Sequence, residues 1–131
     1  MSKNKAYSFQ VIVQEIDIDT LQHTNNISYL KWVLLAAENH WNQLTNTFFN
    51  EKYVWVVLKH EISYLQATKL NDEITIKTWI GNSYGVKSER FVEVYHKDVL
   101  CAKCLTTWCL MDKKSMKPVR INPDVMNILE G

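Results

Sequence analysis

Residues Ile27–Leu44 read ISYLKWVLLAAENHWNQL, and within them Tyr29, Trp32, Val33, Ala36, Ala37, His40 and Leu44 recur at steps of three and four. That spacing gathers one wide apolar stripe on an amphipathic helix. Lys31, Glu38, Asn39 and Asn42 fall on the other faces. Asn25 or Asn26 stands where an N-cap belongs, with a side-chain oxygen for the unpaired N–H groups of the first turn. A helix of about 18 residues is a rod roughly 27 Å long. No second helix of that length is predicted, so its stripe has to be buried against strands.

The strands are legible on both sides of it. Tyr7–Glu15 alternates Phe9, Val11 and Val13 with Gln10, Ile12 and Gln14, the period of a strand with one buried face. Tyr53–Tyr64, Glu73–Ile80, Val86–His96 and Val99–Met111 are rich in β-branched and aromatic residues, and Lys97–Asp98 reads as a tight hairpin between the last two. Thr45–Lys52 reads as a loop, Asp112–Lys117 as a charged turn, and Pro123 as the opening of a short helix. One strand, one long helix and four further strands predict an α+β fold. Its antiparallel five-stranded sheet wraps around one long central helix, in a single domain over residues 1–131.

Composition narrows the function. Of 131 residues, 47% are apolar and 22% charged, ordinary for a globular chain, and the net charge of +1 provides no field for nucleic acid or an anionic membrane. The polar start MSKNKAYSFQ lacks the apolar core of a secretion signal, and no apolar run approaches the ~20 residues of a membrane span. A cytoplasmic protein is expected, with Cys101, Cys104 and Cys109 reduced; Cys101 and Cys104 sit on opposite faces of one strand rather than forming a metal half-site. His23, His40, His60 and His96 are scattered without a metal motif, and no phosphate-binding glycine loop occurs, so no metal or cofactor is expected.

The stretch before the helix carries the chemistry. Residues 17–30 read DIDTLQHTNNISYL. They resemble the D-x-D-x-x-G-H-x-N-N-x-x-Y-L signature of the 4-hydroxybenzoyl-CoA thioesterase-like hotdog family, and are similar to the D-x-D-x-x-Q-H-x-N-N stretch of acyl-ACP thioesterases. Glu61–Leu65 (EISYL), Asn71–Ile74 (NDEI), and Thr107-Trp108 with Met111-Asp112 resemble later strands of the family in the same order. The resemblance implies a hotdog fold and hydrolysis of an acyl-CoA or acyl-ACP thioester. It assigns Asp19, the second aspartate, as catalytic carboxylate, either nucleophile or general base, and the Asn26 backbone N–H as the group that polarises the carbonyl. His23 would orient substrate or water. Gln22, Asn25 and Tyr29 would border the substrate, and Lys87 and Ser88 align with a segment that contacts the nucleotide; Lys113, Lys114 and Arg120 are further candidates for a positive rim. The implied partner is a second copy of the chain, as a homodimer or a dimer of dimers.

Read from the residues alone, Asp19 in an Asp- and Asn-rich loop caps a turn, and Asp17 orders the loop through backbone hydrogen bonds. Gln22 departs from the family glycine, which matters if the turn needs positive φ. Two other functions remain open at this stage. A hotdog hydratase or dehydratase would need an aspartate–histidine pair spaced one residue wider than Asp19 and His23, and prolines absent here. A non-catalytic hotdog that binds acyl thioesters or a protein would need neither.

Overall fold

A computed structural model describes residues 5–45 and 47–130. The elements are β1 (Tyr7–Ile12), a 3-10 turn (Glu15–Asp17), α1 (Asn26–Leu44), α2 (Thr47–Lys52), β2 (Tyr53–Tyr64), β3 (Glu73–Tyr84), β4 (Lys87–His96), β5 (Val99–Asp112) and α3 (Pro123–Glu130). The five strands form one sheet in the order β1-β3-β4-β5-β2, every neighbouring pair antiparallel. The 19-residue α1 packs on it, and the hotdog architecture expected from the sequence is the one found.

Three features depart from the sequence reading by more than one residue. β1 stops at Ile12 because Val13 to Asp17 turn into the 3-10 segment, where the Gln14 N–H donates to Asp17 Oδ2 (3.0 Å). β3 runs on to Tyr84, carried by a two-residue turn at Gly85-Val86 in which Gly85 adopts φ +59°. A glycine there needs no distortion of a Cβ to reach the left-handed region. Thr45–Lys52, expected as a loop, contains the short helix α2; six residues are too few for a helical period to show.

Asn25 is the N-cap of α1: its side chain accepts the Ser28 N–H at 2.7 Å. Tyr29, Trp32, Val33, Ala36, Ala37 and His40 are buried as the stripe requires, while Leu44 is only half-buried. The core divides into two apolar clusters. The first joins Tyr29, Trp32, Val33 and Ala36 to Ile74, Ile76, Val92 and Val94. The second lies at the far end of α1, where Trp41 meets Phe49, Ile80, Leu110, and Val125 and Leu129 of α3.

A buried polar belt includes residues of α1 and of the inner faces of β3 and β4. Arg90 falls in the inward phase of β4, together with Ser88, Val92 and Val94. Its Nη1 donates to His40 Nδ1 (2.9 Å) and to Thr78 Oγ1 (3.0 Å), and Thr78 passes its own proton to the Phe91 carbonyl (2.8 Å). A guanidinium has no acceptor, so His40 Nδ1 must carry the lone pair and Nε2 the proton. Burial, and then the Arg90 charge, lower the His40 pKa from 6.5 to about 4.

That shift has a sign. The unfolded chain takes up the His40 proton near pH 6.5 and the folded chain only near 4, so this contribution to stability is fully present above pH 6.5 and is lost as pH falls toward 4. The full effect is about 3 kcal/mol. His40→Asn keeps an acceptor for Arg90 without the titration. In urea unfolding from pH 7 to 4, the wild type should lose about 3 kcal/mol more than His40→Asn; parallel curves would contradict the pairing.

Candidate active site

Asp17 holds the loop from Gln14 to Asn25 to the start of α1, and Asp19 closes a turn within that loop. Asp17 is 3% exposed. Its Oδ1 accepts from Ser28 Oγ (2.7 Å) and lies 3.6 Å from Lys31 Nζ, while Oδ2 accepts from the Gln14 N–H. Burial alone would raise its pKa, but the hydrogen bonds from Ser28 and Gln14 and the Lys31 charge outweigh it, and the carboxyl sits below the ordinary aspartate value. The Asp17 carbonyl also accepts the Asn25 N–H at 2.7 Å. With every oxygen occupied, Asp17 braces the helix start, the loop-ordering role read from the sequence.

Asp19 is placed differently. Its Oδ1 accepts the N–H groups of Leu21 (2.9 Å) and His23 (3.1 Å), and its backbone N–H donates to the His23 carbonyl (2.9 Å). Among the described residues Oδ2 has no hydrogen-bond partner. The side chain therefore does cap a turn, and it keeps one oxygen for other chemistry. The N–H groups of Asn26 and Ile27, the first two residues of α1, also find no acceptor among the described residues. They carry the partial positive charge of a helix N-terminus. A carboxylate with one open oxygen and unpaired donors at a helix start can together hold a carbonyl and attack it, or activate water beside it.

The other candidates scatter. Gln22 is exposed and adopts φ +65°, the left-handed conformation for which the family glycine is suited. His23 is half-buried and enters the turn through its backbone. Tyr29 lies in the first core cluster, its hydroxyl 2.9 Å from Thr68 Oγ1 and its ring edge-on to Trp32 and Tyr64. Ser88 is buried against Ser83 Oγ (2.8 Å), whereas Lys87, the next residue along the strand, is exposed; alternation sends the two side chains to opposite faces. Among the described residues no cluster of side chains could hold a metal ion. Burial pushes the Cys101 and Cys104 thiols up, away from the reactive thiolate.

Cavities open among the described residues on either side of α1's course. A groove of about 550 Å³ between β1 and α1 touches Gln14, Asp17, Lys31 and Leu35, two residues short of Asp19. A second, of about 450 Å³, lies beside the far half of α1 and is lined by Trp41, Trp55, Arg90 and Trp108 among others. Asp19 lines neither. Near it in the chain, Ile16 and Leu21 of the loop and Ile27 of the first turn of α1 are 78%, 72% and 79% exposed. Sequence reasoning missed Arg90 and the three tryptophans of the second cavity. The available signal was Arg90 itself, an arginine in phase with the buried positions of β4.

A family profile described as "Thioesterase-like superfamily" matches residues 13–129. No curated protein sequence matches the chain. Among solved structures, the chain is similar to YbaW, a probable thioesterase from Escherichia coli (TM-score 0.84, 23% identity, 94% of this chain and 96% of that one). It is also similar to a predicted thioesterase from Bacillus stearothermophilus (TM-score 0.86, 17% identity, 95% and 93%). An acyl-ACP thioesterase from Bacteroides thetaiotaomicron gives a TM-score of 0.83 at 21% identity, covering 91% of this chain and 51% of the longer one. At these identities the structural likeness establishes the fold.

The turn at Gln22 yields a direct test. A left-handed residue with a Cβ costs about 1–2 kcal/mol, partly offset on changing to glycine by the roughly 0.5–1 kcal/mol of extra chain entropy that glycine loses on folding. Gln22→Gly should be neutral or stabilising by up to about 1 kcal/mol, and Gln22→Val, β-branched, destabilising by about 1 kcal/mol or more. Urea midpoints for the three proteins would reveal the order; a glycine variant less stable than Gln22→Val contradicts the strained turn.

Proposed function

The chain belongs to the thioesterase-like superfamily, and on that premise we propose that it hydrolyses an acyl thioester of coenzyme A or of an acyl carrier protein, with Asp19 as the catalytic carboxylate. The observation that carries this reading is the open Oδ2 of Asp19 on the loop that leads into α1, whose first N–H groups are unpaired among the described residues. As nucleophile, Asp19 attacks the acyl carbon, the thiolate leaves, and water cleaves the resulting anhydride. As general base it removes a proton from water while that water attacks, and the proton ends on the departing thiol. Either way negative charge builds on the carbonyl oxygen, where the Asn26 N–H stabilises it; one such donor is typically worth about 3–4 kcal/mol.

The remaining candidates take roles fitted to their surroundings. His23 orients substrate or water from the same turn. Gln22 and Lys87 are exposed and available to the substrate, Lys87 to a nucleotide phosphate. Asn25 and Tyr29 serve the site through what they hold, the helix cap and the Thr68 loop. Ser88 borders the second cavity.

The working unit in this reading is a homodimer or a dimer of dimers in the cytoplasm. β1 and β2 are the two edges of the sheet, and open edges with exposed apolar side chains are a liability that a second copy removes. Leu58, Tyr64 and Leu65 stand exposed on or just beyond β2, in addition to Ile16, Leu21 and Ile27 near Asp19 in the chain. No helix among the described residues is long and apolar enough to cross a membrane.

Thiol release from acyl-CoAs of increasing chain length and from benzoyl-CoA, followed with a chromogenic disulfide, tests the activity. Asp19→Asn should keep the wild-type unfolding midpoint and lose about 10²-fold or more in turnover. Asp17→Asn should instead lower the midpoint. Full activity in folded Asp19→Asn would remove Asp19 from the mechanism. Loss of crotonyl-CoA absorbance without thiol release would point to hydration rather than hydrolysis. In sedimentation at micromolar concentration the chain should run as a dimer or larger, and a single monomer peak would overturn the assembly.

A further inference from the structure

The second cavity combines two features that the hydrolysis reading does not use. Arg90 lines it at 5% exposure, and among the described residues no carboxylate lies within ion-pairing distance of the guanidinium. Both of its hydrogen bonds to His40 and Thr78 leave from Nη1. Burial lowers its pKa to about 10, so it stays charged at neutral pH. A buried, uncompensated charge is costly in any fold.

The second feature is three tryptophans on the same walls. The Nε1–H groups of Trp41, Trp55 and Trp108 are buried and have no acceptor among the described residues, and all three residues line this cavity. Each buried donor left unmade costs about 1–3 kcal/mol. The lining is otherwise largely apolar, with Ala37, Ile80 and Leu129 among its residues, while Glu38 and Lys113 are exposed charged members of it. A volume of about 450 Å³ suits a small organic molecule. One buried positive charge set among largely apolar and aromatic walls selects an anion with a hydrocarbon body.

We propose that this cavity binds an organic carboxylate, its carboxylate group against Arg90 and its apolar body among the tryptophan rings. Leu34 to Asn42, the part of α1 that borders it, lies roughly 12–24 Å along the helix from Asn26. The site is thus separate from the helix N-terminus and does not depend on the assignment of Asp19. A free carboxylic acid is also what thioester hydrolysis would release, so such a site would sense product.

The test uses the purified full chain without any thioester. Calorimetric titration compares octanoate, methyl octanoate, which has the body without the charge, and acetate, which has the charge without the body. Octanoate should bind saturably and at least about tenfold tighter than either, the size of one hydrogen-bonded charge. Arg90→Met should weaken octanoate by a similar factor. Because that change also disturbs His40 and Thr78, Trp108→Phe provides a milder second probe: it keeps a ring, removes one donor, and should weaken octanoate about fivefold. Methyl octanoate or acetate binding as tightly as octanoate, no octanoate binding up to about 10 mM, or wild-type affinity in either folded variant would each overturn the proposal. Because no hydrolysis is measured, an inactive enzyme would leave this result standing.

Discussion

A single long helix with a wide apolar stripe has one surface available to it, and the fold follows from covering that stripe. α1 supplies Tyr29, Trp32, Val33 and Ala36 to one cluster and Trp41 to another, and the inner faces of the strands meet them. A flat sheet would touch so long a rod only along a line. The ladders shift register between Val57 and Lys59, between Ile80 and Ser83, and between Val94 and Tyr95. Irregularities of this kind bend a strand and increase its twist, so the sheet can curl around the helix. The far end is closed by α2 and α3, whose Phe49, Val125 and Leu129 complete the second cluster.

Burying the stripe also fixes where α1 begins, and the proposed chemistry is assigned to that start. The first turn of a helix cannot satisfy its own N–H groups. Here Asn25 and Asp17 secure Ser28 and the loop, and among the described residues the donors of Asn26 and Ile27 stay open at the end of a loop whose Asp19 has one unused oxygen. Two aspartates two residues apart thus have opposite fates. One is spent on structure with every oxygen occupied, while the other keeps an oxygen free because its turn needs only Oδ1. The left-handed Gln22 is part of the same constraint, since the chain must double back from Asp19 to His23 within four residues.

The polar belt has a different logic. Placing Arg90 in the inward phase of β4 would be ruinous without acceptors, and His40 and Thr78 meet only part of its demand. The protein keeps His40 neutral to do so, at a cost in acid stability. Structural economy alone would favour an apolar residue at this position. The cavity is walled in part by the second apolar cluster, and the buried charge of Arg90 on its wall is what sets it apart from the rest of that cluster.

What the sequence by itself determined is whatever depends on near neighbours in the chain. The three- and four-residue spacing of the stripe marked α1 to within one residue, β-branched runs marked the five strands, and Pro123 marked α3, because period, propensity and φ restriction are local properties. The Asp19 motif was legible for the same reason, as spacing within one loop. Only the tertiary structure decided the rest. It showed that Asp17 is locked by Ser28, eleven residues on, that Tyr29 belongs to the core, that Lys87 and Ser88 part to opposite faces, and that Arg90 meets His40 from fifty residues away. It also brought three tryptophans from α1, β2 and β5 to the walls of one cavity. Such meetings depend on strand order and register across the sheet, which no local pattern encodes, because they are set by how the whole sheet closes on its helix.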